Sequence, residues 1–214
     1  RSRRRAAAEL QSHEGNMTLT WTSLLAGVAL AVTIPAPAAA QAADQAKGAP
    51  TAVLVSGPEV GQTAPDFRLP WATRDSIGAV DSDFMLKNNR GKTVVLAFYP
   101  KDFTSGCTAE MQQFTDRFAE MFGDGVVLVG ISIDSVESHQ RFAQSIGMPF
   151  ALLSDPDQVV ARRYGSAGNS GYNRRTVYVI NPEGRVTYRN MQFGALDPKA
   201  YDALKKAVAE ARQG

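Results

Sequence analysis

From about residue 58 onward the hydrophobic pattern alternates between buried-strand and helix signals. Thr93–Tyr99 is an unbroken apolar, β-rich run, as expected of a strand covered on both faces. Gly125–Ile133 is a second such run. Between them Met111, Phe114, Phe118 and Phe122 recur at spacings of three and four, the stripe of an amphipathic helix. Strand, helix, strand at this length predicts a βαβ unit, with parallel strands and a right-handed crossover. A second helix follows, with Val136, Phe142 and Ile146 on its apolar face, Asp134 or Ser135 as its cap and Gly147 at its end. Phe150–Leu153 reads as a short strand and Asp157–Tyr164 as a short helix. Thr176–Ile180 and Arg185–Tyr188 flank Asn181-Pro-Glu-Gly184, a turn sequence that predicts an antiparallel hairpin. Tyr201, Leu204 and Val208 mark a closing helix.

Parallel strands plus a terminal hairpin, covered by helices, predict an α/β domain of thioredoxin-like fold. Its central mixed sheet has a parallel βαβ core and flanking helices. The 214-residue chain is long enough for this domain and some appended sequence. Residues 1–42 read as an export leader. An apolar core from Leu24 to Ile34 precedes small residues that offer cleavage after Ala40 or Ala42, and it is shorter than the ~20 residues of a spanning helix. The charge expected before that core is missing if translation starts at Met17, and present if the arginines near residue 1 belong to the leader. Export to the periplasm or beyond is the expectation, with an uncleaved N-terminal membrane anchor as the alternative. Residues 43–57, rich in Ala, Gly and Pro, read as a flexible linker, which leaves 58–214 as the folded domain.

Charge narrows the partners. The formal net charge is +2, but residues 1–42 carry four arginines against two glutamates. From Ala43 on, basic and acidic residues balance at 19 each, by subtraction from totals of 23 and 21. A neutral domain has no electrostatic footprint for nucleic acid. One cysteine rules out an internal disulfide, and one cysteine with one histidine outside the leader rules out the usual zinc sets. Neither a metal nor a cofactor is expected.

That cysteine, Cys107, follows the first buried strand and sits in the first turn of the helix. Unpaired N–H groups and the positive end of the helix dipole converge there, and both favour thiolate over thiol. Taken alone, the position fits a small buried hydrophobe equally well.

The neighbours decide between these readings. Pro100, Thr104 and Cys107 form the pattern P-x-x-x-T-x-x-C, which resembles the active loop of the peroxiredoxins, the alkyl hydroperoxide reductase and thiol-specific antioxidant family. Val60-Gly-Gln-Thr-Ala-Pro-Asp-Phe67 is similar to that family's opening, Ala97-Phe-Tyr-Pro100 to its strand into the loop, and Arg175–Asn181 to its later arginine-led strand. The resemblance covers about residues 58–212. It implies a thiol peroxidase acting on hydrogen peroxide and organic hydroperoxides. Cys107 would be the nucleophile, and Thr104 and the loop N–H groups would hold the peroxide. Arg175 would stabilise charge, and Pro100 would wall off water. Strand alternation would turn Arg174 away from the site that Arg175 enters.

Glu110, one turn after Cys107, resembles the C-x-x-E of some family members and reads equally as a first-turn acid facing the dipole. His139 is expected on or near the capping turn of its helix, structural or solvated, and outside the catalytic centre. Relatives in the bacterioferritin-comigratory, or Q-type, branch often carry a second cysteine five positions after the first. Here that slot is Gln112. The expected cycle therefore uses one cysteine, with its sulfenic acid resolved by an external thiol: a thioredoxin-like protein, glutathione or glutaredoxin, or a small thiol. Family members commonly dimerise, so a homodimer is among the arrangements expected. Two rival readings stay open. One is an exported thiol–disulfide oxidoreductase, the other a non-catalytic redox-sensing or chaperone module on the same fold.

Overall fold

The buried strand Thr93–Phe98 is the centre of the molecule, and its alternating side chains explain the unbroken apolar run. Val95 and Ala97 join one buried cluster while Val94, Leu96 and Phe98 join another on the opposite face. In the computed structural model residues 56–213 are described. The expected leader over 1–42, and all but the last two residues of the expected linker over 43–57, lie outside the described residues.

In chain order the strands are β1 (Arg68–Leu69), β2 (Trp71–Ala72), β3 (Phe84–Met85), β4 (Thr93–Phe98), β5 (Val126–Ser132), β6 (Ala151–Ser154), β7 (Thr176–Ile180) and β8 (Val186–Asn190). The helices are α1 (Ser105–Asp116), α2 (Phe118–Met121), α3 (Val136–Ser145), α4 (Val159–Arg163) and α5 (Pro198–Ala211). Six strands form one mixed sheet in the order β2-β6-β5-β4-β7-β8. Within it β4 pairs in parallel with β5, and β5 with β6, as the βαβ pattern requires. The β7–β8 hairpin adds antiparallel to β4. Its turn closes through the Gly184 N–H to the Asn181 carbonyl at 2.8 Å, with Gly184 at φ +78°, a conformation that suits glycine.

α1, α2, α3 and α5 supply side chains to one face of the sheet, with Met111, Phe114, Phe142, Tyr201 and Leu204 buried there. α4 and the opening segment cover the other, where Tyr164 and Tyr178 meet Phe98 and Phe67 packs edge-on against Tyr164. Burying each large apolar side chain contributes about 1.5–3 kcal/mol before chain entropy is counted.

The structure departs from the pattern in two places. The stripe Met111–Phe122 is served by two helices, because the chain leaves helical geometry at Arg117 (φ −102°, ψ 14°). There the Arg117 side chain is tied to Glu120 and to Asp202 of α5. The strands β1, β2 and β3 have two residues each, too short to register as periodicity. β2 nonetheless extends the main sheet by pairing antiparallel with β6.

Candidate active site

The register of β4 on β7 builds the site. These strands are antiparallel neighbours with Phe98 opposite Thr176, so the end of β4 lies beside the start of β7. The residue before Thr176 is Arg175, and the chain after Phe98 runs through the loop 99–104 into α1. Two segments about seventy residues apart in sequence therefore converge. The Arg175 carbonyl is fixed by accepting from the Phe193 N–H at 3.0 Å.

α1 starts at Ser105 with Thr104 as its cap residue, yet no side chain caps it. The Thr104 hydroxyl donates instead to the Lys101 carbonyl at 3.1 Å, and the first helical bond runs from the Thr108 N–H to the Thr104 carbonyl at 2.8 Å. The N–H groups of Ser105, Gly106 and Cys107 precede that bond and have no intrahelical acceptor.

Cys107 is fully buried, and its Sγ accepts a hydrogen bond from Arg175 Nη2 at 3.4 Å. The other arm of the guanidinium, Nη1, donates to Glu110 Oε2. Planarity lets one arginine serve sulfur and carboxylate together. Gly106 makes room for it: a Cβ there would lie 2.8 Å from Arg175 Nη2. Sequence reasoning missed Gly106, whose only signal was a small residue directly before the cysteine.

Glu110 is fully buried beneath this arrangement, and its Oε1 has no hydrogen-bond partner among the described residues. The two sequence readings of Glu110 thus resolve in favour of a carboxyl packed inward on Arg175 and away from solvent. Burial drives its carboxyl up to about 7 against the pull of the Arg175 charge. Burial lowers Arg175, but the Glu110 carboxylate and the Cys107 sulfur outweigh it and hold the guanidinium above its ordinary range.

The raised Glu110 carboxyl has a consequence for stability. Its folded-state value exceeds the unfolded 4.5, so the stability it contributes is full below about 4.5 and is lost as pH rises through about 7. Relative to Glu110→Gln, the wild type should lose about 3 kcal/mol between those limits. Denaturant unfolding of both proteins at pH 4.5 and 8 checks this, and parallel pH profiles would contradict it.

The remaining residues named from sequence fall around this centre. Thr104 is exposed at the mouth of the loop, and Pro100 is half-buried where β4 gives way to the loop. Neither forms a hydrogen bond with Cys107. Arg174 turns away, donating to the Gly165 carbonyl. Gln112, in the slot of a second cysteine, is half-buried and donates to Asp116 at 2.7 Å.

His139 lies in the first turn of α3, next to the cap as expected, with its N–H donating to the Ser135 carbonyl at 3.0 Å, and it is structural, not solvated. Ser135 caps α3 by accepting from the Ser138 N–H at 3.4 Å, while His139 is fully buried one residue further on. There it meets Asp102 of the active loop at 3.0 Å. That pairing was invisible in the sequence, where 37 residues separate the two. Among the described residues no cluster of three or more His, Cys, Asp or Glu side chains is arranged to hold a metal.

Comparison with known proteins agrees with this architecture. The model of the AhpC/TSA family matches residues 60–189. A peroxiredoxin bcp of Helicobacter pylori is 40% identical over 154 residues, covering 71% of this chain and 93% of its own. Peroxiredoxin Bcp of Bacillus subtilis is 33% identical, covering 60% of this chain and 82% of its own. Among solved structures, the bacterioferritin comigratory protein of Xanthomonas campestris aligns with a TM-score of 0.58 at 28% identity, over 67% of this chain and 92% of that one. That protein was studied for its alkyl peroxide reduction activity. A lone cysteine on a thioredoxin fold, fixed at a helix start by an arginine from the neighbouring strand, thus sits among relatives of one kind, and the chain belongs to the AhpC/TSA family, the peroxiredoxins.

Proposed function

We propose that this peroxiredoxin is a one-cysteine thiol peroxidase in which Cys107 reacts with the peroxide and an external thiol completes the cycle. The observation that carries the reading is the 3.4 Å bond from Arg175 to the only sulfhydryl in the chain, at the free N–H groups of α1. The Cys107 thiolate attacks one peroxide oxygen, forming an S–O bond as the O–O bond breaks. Sulfur is oxidised to sulfenic acid, and the other oxygen leaves as hydroxide or alkoxide, which takes a proton from water. Arg175 stands where negative charge passes from sulfur to the leaving oxygen, so its fixed donors favour the transition state. The Thr104 hydroxyl donates its hydrogen bond to the Lys101 carbonyl, leaving oxygen lone pairs that can accept from the peroxide O–H. Pro100 presents no N–H and shields the loop from water.

An external thiol then attacks the sulfenic sulfur, releasing water and leaving a mixed disulfide. A second thiol reduces that disulfide and restores Cys107. A disulfide between two copies would require two fully buried sulfurs to meet. The reductant is therefore a separate thiol: a thioredoxin-like protein, glutathione with glutaredoxin, or a small thiol. We place the enzyme outside the cytoplasm on the strength of its leader-like first 42 residues. The rival oxidoreductase reading is disfavoured because Glu110 fills the second position of a C-x-x-C pair.

Steady-state turnover of hydrogen peroxide with each class of thiol, together with fractionation of cells expressing the full chain, tests this. Saturable turnover with at least one reductant is expected. Insulin reduction without peroxide turnover would favour the oxidoreductase instead.

A further inference from the structure

The loop that carries Thr104 has a second anchor, remote from Cys107. Asp102 is buried, and its carboxyl collects three partners, one from its own loop and two from α3. Tyr99 Oη donates to Oδ1 at 2.6 Å, Ser138 Oγ donates to Oδ2 at 2.8 Å, and His139 Nδ1 lies 3.0 and 3.2 Å from the two oxygens. The Asp102 N–H donates to Asp134 Oδ2 at 2.9 Å, which also accepts from Ser132 Oγ at 2.7 Å. The loop is thereby pinned to the end of β5 and to α3.

The imidazole is held from both ends. His139 Nε2 lies 3.1 Å from the Leu153 carbonyl, which can only accept, so that nitrogen donates and ties the ring to β6. Burial, then the Asp102 charge, pushes the Tyr99 phenol well above its ordinary range, so that hydroxyl remains a donor to Asp102.

The loop also holds backbone strain. Phe103, between Asp102 and Thr104, has φ +58°, in the left-handed region that a bulky residue rarely adopts. Its ring packs on that of Phe142, with centroids 5.0 Å apart, but the residue remains 54% exposed, so packing alone is a weak clamp. The bonds through Asp102 are what hold this turn.

We propose that Asp102 and His139 are positioning residues for the peroxidase reaction, holding the strained turn that delivers Thr104 to the start of α1. This rests on the thiol-peroxidase reading above. The test uses Asp102→Asn in the full chain, well below its unfolding temperature. Reaction of Cys107 with hydrogen peroxide, which needs Thr104, is compared by stopped flow with its alkylation by iodoacetamide, which needs only the thiolate. The peroxide rate constant should fall on the order of tenfold to a hundredfold, while alkylation changes little. An unchanged peroxide rate in the folded variant would overturn the proposal, as would equal losses in both reactions.

Should that variant fail to fold, Ser138→Ala, which removes one donor to Asp102 and leaves its pairing with His139, should show a smaller loss confined to the peroxide reaction. An unchanged peroxide rate in that variant, or equal losses in both reactions, would overturn the proposal. Failure of the peroxidase reading itself is distinguishable, because wild-type Cys107 would then not react with peroxide at all.

Discussion

Replacing Arg175 with methionine should slow the oxidation of Cys107 by hydrogen peroxide roughly 10²–10³-fold, the usual loss when one fixed donor to developing charge is removed. Methionine keeps much of the side-chain volume, so the cavity contribution is small. What disappears is the cation whose two arms reach Cys107 Sγ and Glu110. The fold should survive: burial already raises the Glu110 carboxyl to about 7 against the pull of Arg175, and removing that pull raises it further, so at pH 6 it is protonated and leaves no bare charge buried. At pH 8 the same variant should be markedly less stable. Arg175→Lys should recover only part of the rate, because one ammonium cannot span sulfur and carboxylate in the fork geometry. Stopped-flow oxidation at pH 6 and 8 reads both effects. A lysine variant as fast as wild type would show that charge alone suffices.

The other large effect is expected at the nucleophile. Cys107→Ser should reduce peroxide consumption to the uncatalysed rate, because a serine hydroxyl is not ionised at neutral pH and yields no sulfenic acid. The variant should fold, since the hydroxyl is nearly isosteric with the thiol and can accept from Arg175 where sulfur did. Its stability should stay within about 2 kcal/mol of wild type, the range of an ordinary single substitution. Circular dichroism verifies the fold, and a peroxide-depletion assay with the same reductant reads the activity. Residual catalysis in this variant would move the chemistry elsewhere.

How much of this was legible beforehand follows physical lines. β4, β5 and the β7–β8 hairpin are set by local pattern and turn chemistry, and their bounds fall within a residue or so of expectation. The proximity of Arg175 to Cys107 was reached through a family resemblance. Its cause, the antiparallel register that sets Phe98 beside Thr176, is a property of strand order that the pattern did not contain. The short strands β1–β3 escaped because two residues cannot display a period. The break at Arg117 escaped because the apolar stripe continues through it. Asp102 and His139 were the deepest omission. Each looks ordinary in sequence, as a loop acid and a lone helical histidine, and only the fold brings them to 3.0 Å in a fully buried site.

The account stands most directly on what one equivalent of hydrogen peroxide does to this sulfur. Intact-mass analysis of the wild type should show the gain of a single oxygen on a monomeric chain, localised to Cys107, and that oxygen should be lost when an excess of reducing thiol is added. A disulfide-linked pair of chains as the main product, or an unchanged mass while peroxide is consumed, would contradict the one-cysteine cycle.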